Sequence, residues 1–301
     1  MANTTRGRVW RELFLVAFIA TFLVPWGAAT ANQTALLGDD VYGWEPLGVI
    51  AGSSELRLHS QGEDNWEVWV CDTPSGEVSV SAAQVADVLN DEVTSFYQWL
   101  SEGAYRPVFT AGGTVIEGSG CTSAVSDRVT SGPNGVIIVT DTASNGGSAQ
   151  SGIWCPYEGL CPPSPETFPD NYRSVTLGAH SVVGPNPRLV TVVHELGHTL
   201  HFGHTFSGQT TGTWAEYDDP IDVMSKAGDR TRLMATHALN RYIAGWVDPD
   251  DVIIAGGSGT FTLSALGRPG DELLLVPNGE QGWLTAIDVR LTTGYDSALP
   301  E

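Results

Sequence analysis

Four side chains within one stretch of eleven residues carry the strongest chemical signal in this chain: His194, Glu195, His198 and His204 of HELGHTLHFGH. On a helix, residues four apart share a face and lie about 6 Å apart along the axis. His194 and His198 can then present their imidazoles to one Zn²⁺, and Glu195 sits beside them to take a proton from a metal-bound water. That is the chemistry of a zinc hydrolase, a protease first of all. Two histidines compete for the third ligand position. If the helix continued, His201 would share the face of His194 but lie about 10 Å further along. With Zn–N bonds of about 2.0–2.1 Å, one ion could not hold both. His204 lies beyond Gly203, and a glycine can take a positive φ and turn the chain back. This favours His204, with the helix ending near Leu200 or His201, and leaves His201 as the alternative ligand or an outer-shell group.

Residues 194–204 resemble the metzincin signature H-E-x-x-H-x-x-G-x-x-H at every defined position but one. Where that signature has its turn glycine this chain has His201, with Gly203 two residues later. Metzincins also carry a methionine turn beneath the zinc, and Tyr217-Asp218-Asp219-Pro220-Ile221-Asp222-Val223-Met224-Ser225 resembles it, with Met224 as the methionine. The wording Tyr-x-Asp-Pro-x-Asp-Val-Met, and the sequel from His237 to Gly245-Trp246, are similar to gametolysin-like and immune-inhibitor-A-like secreted peptidases. The resemblance runs from about Trp66 to the C-terminus. It implies zinc on His194, His198 and His204, Glu195 as general base and Met224 as the floor. It also implies an α+β fold: a twisted, mostly parallel mixed sheet with two long helices, a methionine turn and a small β-rich C-terminal segment. In astacin-like relatives a tyrosine near the methionine turn helps hold the oxyanion. Here Lys226 stands two residues after Met224, so that role is not carried over, and Tyr217 is the substitute.

The chain around this motif has 301 residues, 14 basic and 35 acidic, a net charge of −21. Its start reads as a secretory signal: Arg6, Arg8 and Arg11, an apolar run from Leu13 to Val24 too short to favour a membrane span, then Ala29-Thr30-Ala31. The rival reading is an uncleaved anchor. Residues 1–31 hold three of the basic residues and Glu12, so the remainder has 11 basic and 34 acidic residues, a net charge of −23 with Lys226 as its one lysine. Such a surface repels nucleic acid and anionic lipid. It suits a salty medium or a protein kept soluble outside the cell, and the composition bias of a source organism would produce the same surface. Four cysteines fit an oxidising compartment. Of the three pairings, Cys155–Cys161 as a loop clip and Cys71–Cys121 between distant strands are favoured. Cys71 as a thiolate capping the zinc is the weaker alternative, since Trp-Val-Cys-Asp reads as the end of a strand. Asn32-Gln33-Thr34 is a glycosylation sequon.

The elements that must position the motif follow from periodicity. Residues 32–60, rich in Gly and Ser, form an N-terminal arm or short pro-segment. Trp66 to Val70 alternates as a strand. Ser81-x-x-Gln84 is a capping box opening a long amphipathic helix to about Glu102. Val108 to Val115 begins a strand pair, and Val136 to Thr140 is a short buried strand. The resemblance gives Ser151 to Trp154 the edge that pairs with an extended substrate. Ser174 to His180 is a further strand, Asn186-Pro187 starts the zinc helix, and Thr231 to Ala244 forms the next. A catalytic unit thus spans 61–249. The tail, 250–301, is β-rich at Val252–Ala255, Gly259–Leu263, Glu272–Val276 and Trp283–Leu291; its polar ending resembles an interrupted domain. Asp218, Asp219 and Asp222 could bind Ca²⁺, though they lack regular loop spacing, and Asp222 suits capping of local backbone. His59, His180 and His237 have no partner spacing and read as structural or exposed.

These observations point to a secreted zinc endopeptidase acting on protein or peptide. Two alternatives stay open: a surface or adhesion module that keeps its zinc and has lost turnover, and a zinc amidase acting on a non-protein amide. The intact Glu195 favours an enzyme, because a binding site alone needs no general base.

Overall fold

The computed structural model describes residues 61–73, 78–117, 120–129, 134–140, 147–150, 173–183, 187–200, 202–205, 219–225, 232–278 and 283–299. The expected signal, the sequon, the Cys155–Cys161 pair, the Ser151–Trp154 edge, His59, His201, Tyr217, Asp218 and Lys226 lie outside them.

Strand β1, Gly62–Asp72, is long because its residues alternate between two buried faces. Trp66, Val68 and Val70 point to one face and Trp69 and Cys71 to the other. Helix α1, Ala82–Val88, opens with the expected capping box: the Ser81 hydroxyl accepts from the Gln84 N–H and the Gln84 side chain accepts from the Ser81 N–H. The helix runs on through a π turn, Leu89–Val93, into α2, Thr94–Leu100. The turn aims Asn90 at the backbone of strand β2, Tyr105–Ile116. The Asn90 amide donates to the Phe109 carbonyl at 2.8 Å and accepts the Phe109 N–H at 3.0 Å. It thereby satisfies two outward-facing polar groups on an edge strand. No hairpin forms at 108–115. One twelve-residue strand lies parallel to β1, with Gly112 as the extra residue of a bulge. A Cβ there would sit 2.3 Å from the Trp69 indole, so only glycine fits.

Helix α3, Cys121–Ser126, is followed by β3, Gly135–Thr140, β4, Gly147–Gln150, and β5, Arg173–Gly178. The sheet order is β2-β1-β3-β5-β4, parallel except for the antiparallel β4 at the edge. Among the described residues the antiparallel edge is β4, Gly147–Gln150. Central β3 reads Val-Ile-Ile-Val because both its faces are buried. One face meets α1, α2 and the histidine helix; the other meets α3, clipped to β1 by the expected Cys71–Cys121 disulfide.

After the short helix α4, Ala179–Val182, the histidine helix α5 spans Leu189–Thr199. Its cap is Arg188, two residues later than the Asn186 cap expected for it, and it is buried almost all round, including Val190, Val192, Val193 and Leu196. Tyr97 of α2 donates its hydroxyl to the Val193 carbonyl at 2.7 Å, tying the two helices. The helix expected over 231–244 is confined to α6, Ala238–Ile243. Strands β6, Val252–Ile254, β7, Leu273–Asn278, and β8, Trp283–Ile287, form a second sheet; 259–263 is irregular. The fold is a mixed arrangement of α and β, with a mixed sheet and, among the described residues, helices between β1 and β2 and between β2 and β3. Among the described residues no helix is long and apolar enough to cross a membrane.

Apolar side chains of the 250–301 region pack on the rest of the chain. Leu273 and Leu275 bury against Leu239, Tyr242 and Ile243 of α6. Tyr295 packs edge-on to Phe96 and against Trp99 of α2, at ring distances of 5.2 Å.

The disulfide closes a separation of 50 residues. Cys71→Ser combined with Cys121→Ser should lower the free energy of unfolding in guanidinium by about 2–4 kcal/mol. An unchanged midpoint would mean that the clip constrains nothing.

Candidate metal centre

Helix α5 brings His194 and His198 to one face, and the chain after it brings back His204. The α5 end is closed by two N–H groups, those of Leu200 and Phe202, both donating to the Gly197 carbonyl at 2.9 and 3.0 Å. Gly203 is not among the glycines with positive φ, so it does not make the turn expected of it. Its backbone is instead held by the Asn240 side chain of α6, which accepts the Gly203 N–H at 3.3 Å and donates to its carbonyl at 3.4 Å. Asn240 is itself fixed by a 2.7 Å bond to the Thr236 hydroxyl. The three imidazoles converge. Ring centroids of His194 and His198 lie 4.6 Å apart, His198 and His204 4.6 Å, His194 and His204 5.2 Å. One nitrogen from each lies within 4.8 Å of the others.

The protons on these rings are set by the backbone. His194 Nδ1 lies 2.9 Å from the Val223 carbonyl and His198 Nδ1 lies 2.9 Å from the Phe202 carbonyl. A carbonyl only accepts, so each Nδ1 bears the hydrogen and each Nε2 presents a lone pair. The two Nε2 atoms face each other at 3.0 Å. Two ligands on a tetrahedral zinc with bonds of about 2.0–2.1 Å would be separated by about 3.3–3.4 Å. Facing lone pairs at this range repel unless a cation lies between them, so the donor set fits a soft-to-borderline divalent metal. Burial, followed by the neighbouring His198, pushes the His194 pKa down to about 3, against the opposing pull of the Val223 bond. His194 is therefore the neutral imidazole that a metal requires.

Glu195 projects from the same helix, and burial raises its pKa to about 7. It lies under β4: a Cβ on Gly147 would come within 2.6 Å of the Glu195 Cγ. Gly147, the first residue of β4, therefore leaves room for the carboxyl, a constraint with no visible signal in the sequence.

Met224 lies fully buried in a turn spanning Asp222–Ser225, under the helix. Its Sδ would sit 2.5 Å from a Cβ on Gly197. The turn is held by Asp222, also fully buried. One carboxylate oxygen accepts the Met224 N–H at 2.7 Å; the other accepts the His237 N–H at 2.7 Å and the Thr236 hydroxyl at 3.2 Å. His237, read from sequence as having no partner, is at the centre of an acidic cluster. Its Nε2 lies 3.1 Å from Asp219 and its Nδ1 3.3 Å from Asp288. Despite the opposing cost of burial, bonds to Asp219 and Asp288 raise its pKa to about 11. Asp219, Asp222 and His237 are spaced closely enough to ligate a metal. Their atoms are already joined to one another and to backbone N–H groups, an arrangement that suits a protonated imidazole rather than Ca²⁺.

No protein-family model and no curated protein matches the sequence. Among solved structures the chain is similar to archaemetzincin from Methanopyrus kandleri, at 11% identity and a TM-score of 0.35, over 61% of this chain and 95% of that one.

Two outcomes follow. Alanine at 197 gains about 1 kcal/mol of helix propensity but collides with the fully buried Met224 sulfur, so Gly197→Ala should lower stability by a net of about 1–3 kcal/mol in thermal melts. His237 has a folded pKa above its usual 6.5, so its stabilisation is complete below about pH 6.5 and is lost as pH rises toward 11. His237→Gln should cost about 1.5–3 kcal/mol at pH 6, measured by urea unfolding, and the gap from wild type should shrink steadily up to pH 11. A gap that stays constant with pH would show that the imidazole is not ionised.

Proposed function

We propose that the chain is a secreted zinc endopeptidase of the metzincin type, in which His194, His198 and His204 hold the metal, Glu195 is the general base and Met224 forms the floor. The wording of the 217–225 and 237–246 stretches supports placing it with the gametolysin-like group. The observation that carries the reading is the convergence of three imidazoles, two with Nδ1 bound to backbone carbonyls, beside a carboxyl whose pKa burial raises to about 7. Zn²⁺ bound there supplies Lewis acidity that polarises a scissile carbonyl and lowers the pKa of an attacking water to about 7.

The protein supplies the rest. Glu195 accepts the water's proton and returns it to the leaving amine; a carboxyl with a pKa close to neutrality is matched to both directions of that transfer. Among the described residues strand β4 is the last of its sheet, bonded to β5 on one side. Strand addition at its other edge would lay an extended peptide alongside β4, beneath which Glu195 lies. Glycine at 147 leaves the Glu195 carboxyl its room there.

Casein digestion with and without a chelator, beside Glu195→Gln, tests the reading. The wild type should cleave, lose cleavage on chelation and regain it with zinc. Glu195→Gln should keep the metal and lose about 10²–10⁴ in kcat. Zinc-loaded wild type that cleaves no protein or peptide, and behaves like its Gln variant, leaves the silent binding module or the amidase in its place.

A further inference from the structure

Taking the three histidines as a zinc centre, we propose that Asp222 is the positioning residue for His194, and that residues 288–296 of the C-terminal region hold Asp222 in place. His194 is bonded to the turn from Nδ1 to the Val223 carbonyl at 2.9 Å. That carbonyl and the Met224 N–H belong to one planar peptide unit, so a grip on the N–H fixes the carbonyl. Asp222 holds this unit through the Met224 N–H, and the Ser225 N–H closes on the Asp222 carbonyl at 3.2 Å. The Val223 N–H donates to the Ala235 carbonyl at 3.4 Å, and the Thr205 N–H, next to His204, donates to the Met224 carbonyl at 3.2 Å. The turn therefore touches two of the three histidine positions, and the Asp222 carboxylate is the side chain that sets it.

The C-terminal region reaches this turn by two arms. In the first, Asp288 accepts the Ala238 N–H at 2.7 Å and bonds His237 Nδ1, while the His237 N–H bonds Asp222. In the second, Arg290 donates to the Ile221 carbonyl and pairs with Asp296, which accepts the Ala235 N–H at 2.8 Å. Both arms end on residues directly flanking Val223 or bonded to it. A buried aspartate that merely capped a turn would need neither. A metal-ligating imidazole gains its orientation and basicity from the group bound to its second nitrogen, and loss of such support weakens metal binding by 10–100-fold.

The test uses the full chain. Both Asp222 oxygens accept N–H groups, so Asp222→Asn must turn an NH₂ against one of these donors while keeping its volume. Zinc affinity is measured by competition with a chromophoric chelator, apoprotein stability by thermal melting, and ligand geometry by the visible spectrum of the Co²⁺ form. Asp222→Asn should bind zinc 10–100-fold more weakly than wild type and shift the Co²⁺ spectrum, and the affinity loss should vanish when His194→Ala is already present. Asp288→Asn, further from the turn, should show the same effects in smaller measure, and decides the matter if Asp222→Asn does not fold. Zinc affinity and Co²⁺ spectrum equal to wild type in a folded variant, whatever happens to the melting temperature, would overturn the proposal. A wild type that binds no zinc would instead sink the zinc reading on which it rests.

Discussion

The bond from His194 Nδ1 to the Val223 carbonyl is the contact on which the centre depends. A neutral imidazole has one N–H and one lone pair, and the nitrogen that bonds to a carbonyl must bear the hydrogen. This leaves Nε2 as the donor, aimed at His198 Nε2 3.0 Å away. His198 repeats the device on the Phe202 carbonyl. Side chains on a surface helix could rotate apart. Here two backbone carbonyls, one in the turn at 222–225 and one just past the end of α5, keep them facing.

Holding those carbonyls still requires a rigid surround, and the fold supplies it by burial and close fit. Helix α5 is apolar on nearly all sides because sheet, α2 and the 222–225 turn all pack on it. Two glycines permit the closest approaches: Gly197 lets the Met224 sulfur rest against the helix, and Gly147 lets β4 pass over Glu195. Buried charges in the scaffold are paired. Asp64 takes Arg173, Tyr105, Trp66 and Asn134 at one end of the sheet, and Arg241 takes Glu272 beside α6. Pairing matters because an isolated charge at those depths would cost several kcal/mol. The centre differs in kind: its buried histidine is kept neutral, and its carboxyl is raised toward neutrality by burial alone.

The C-terminal region shares in this. Tyr295 closes over Phe96 and Trp99, and Gly294 has a φ of +58° where a Cβ would strike the Trp99 indole. Asp288, Arg290 and Asp296 carry the contact inward to the turn. Segments far apart in sequence, 219–225, 235–240 and 288–296, are therefore joined by hydrogen bonds that involve mostly aspartates. In a chain of net charge −21, those carboxylates are consumed by backbone N–H groups and by His237 and Arg290, rather than adding to surface repulsion.

What the amino-acid sequence determined by itself is local. The HELGH spacing places two imidazoles on one helical face, Ser81 and Gln84 cap a helix, and the short Val-Ile-Ile-Val run reads as a buried strand. Each follows from a period of 3.6 or 2 residues, or from a side chain meeting its own backbone three positions on. The choice of His204 rested on chain reach, although the glycine expected to turn the chain did not do so. Tertiary structure decided the rest. His237 looked isolated in sequence because its partners, Asp219 and Asp288, lie 18 and 51 residues away. The clearance at Gly147 depends on Glu195 crossing beneath it, and the antiparallel sense of β4 on how it meets β5. Hydrogen-bond partners and steric clearances between distant segments leave no periodic trace, because they are set by where the sheet and helices pack, and only then does a lone histidine or glycine acquire its role.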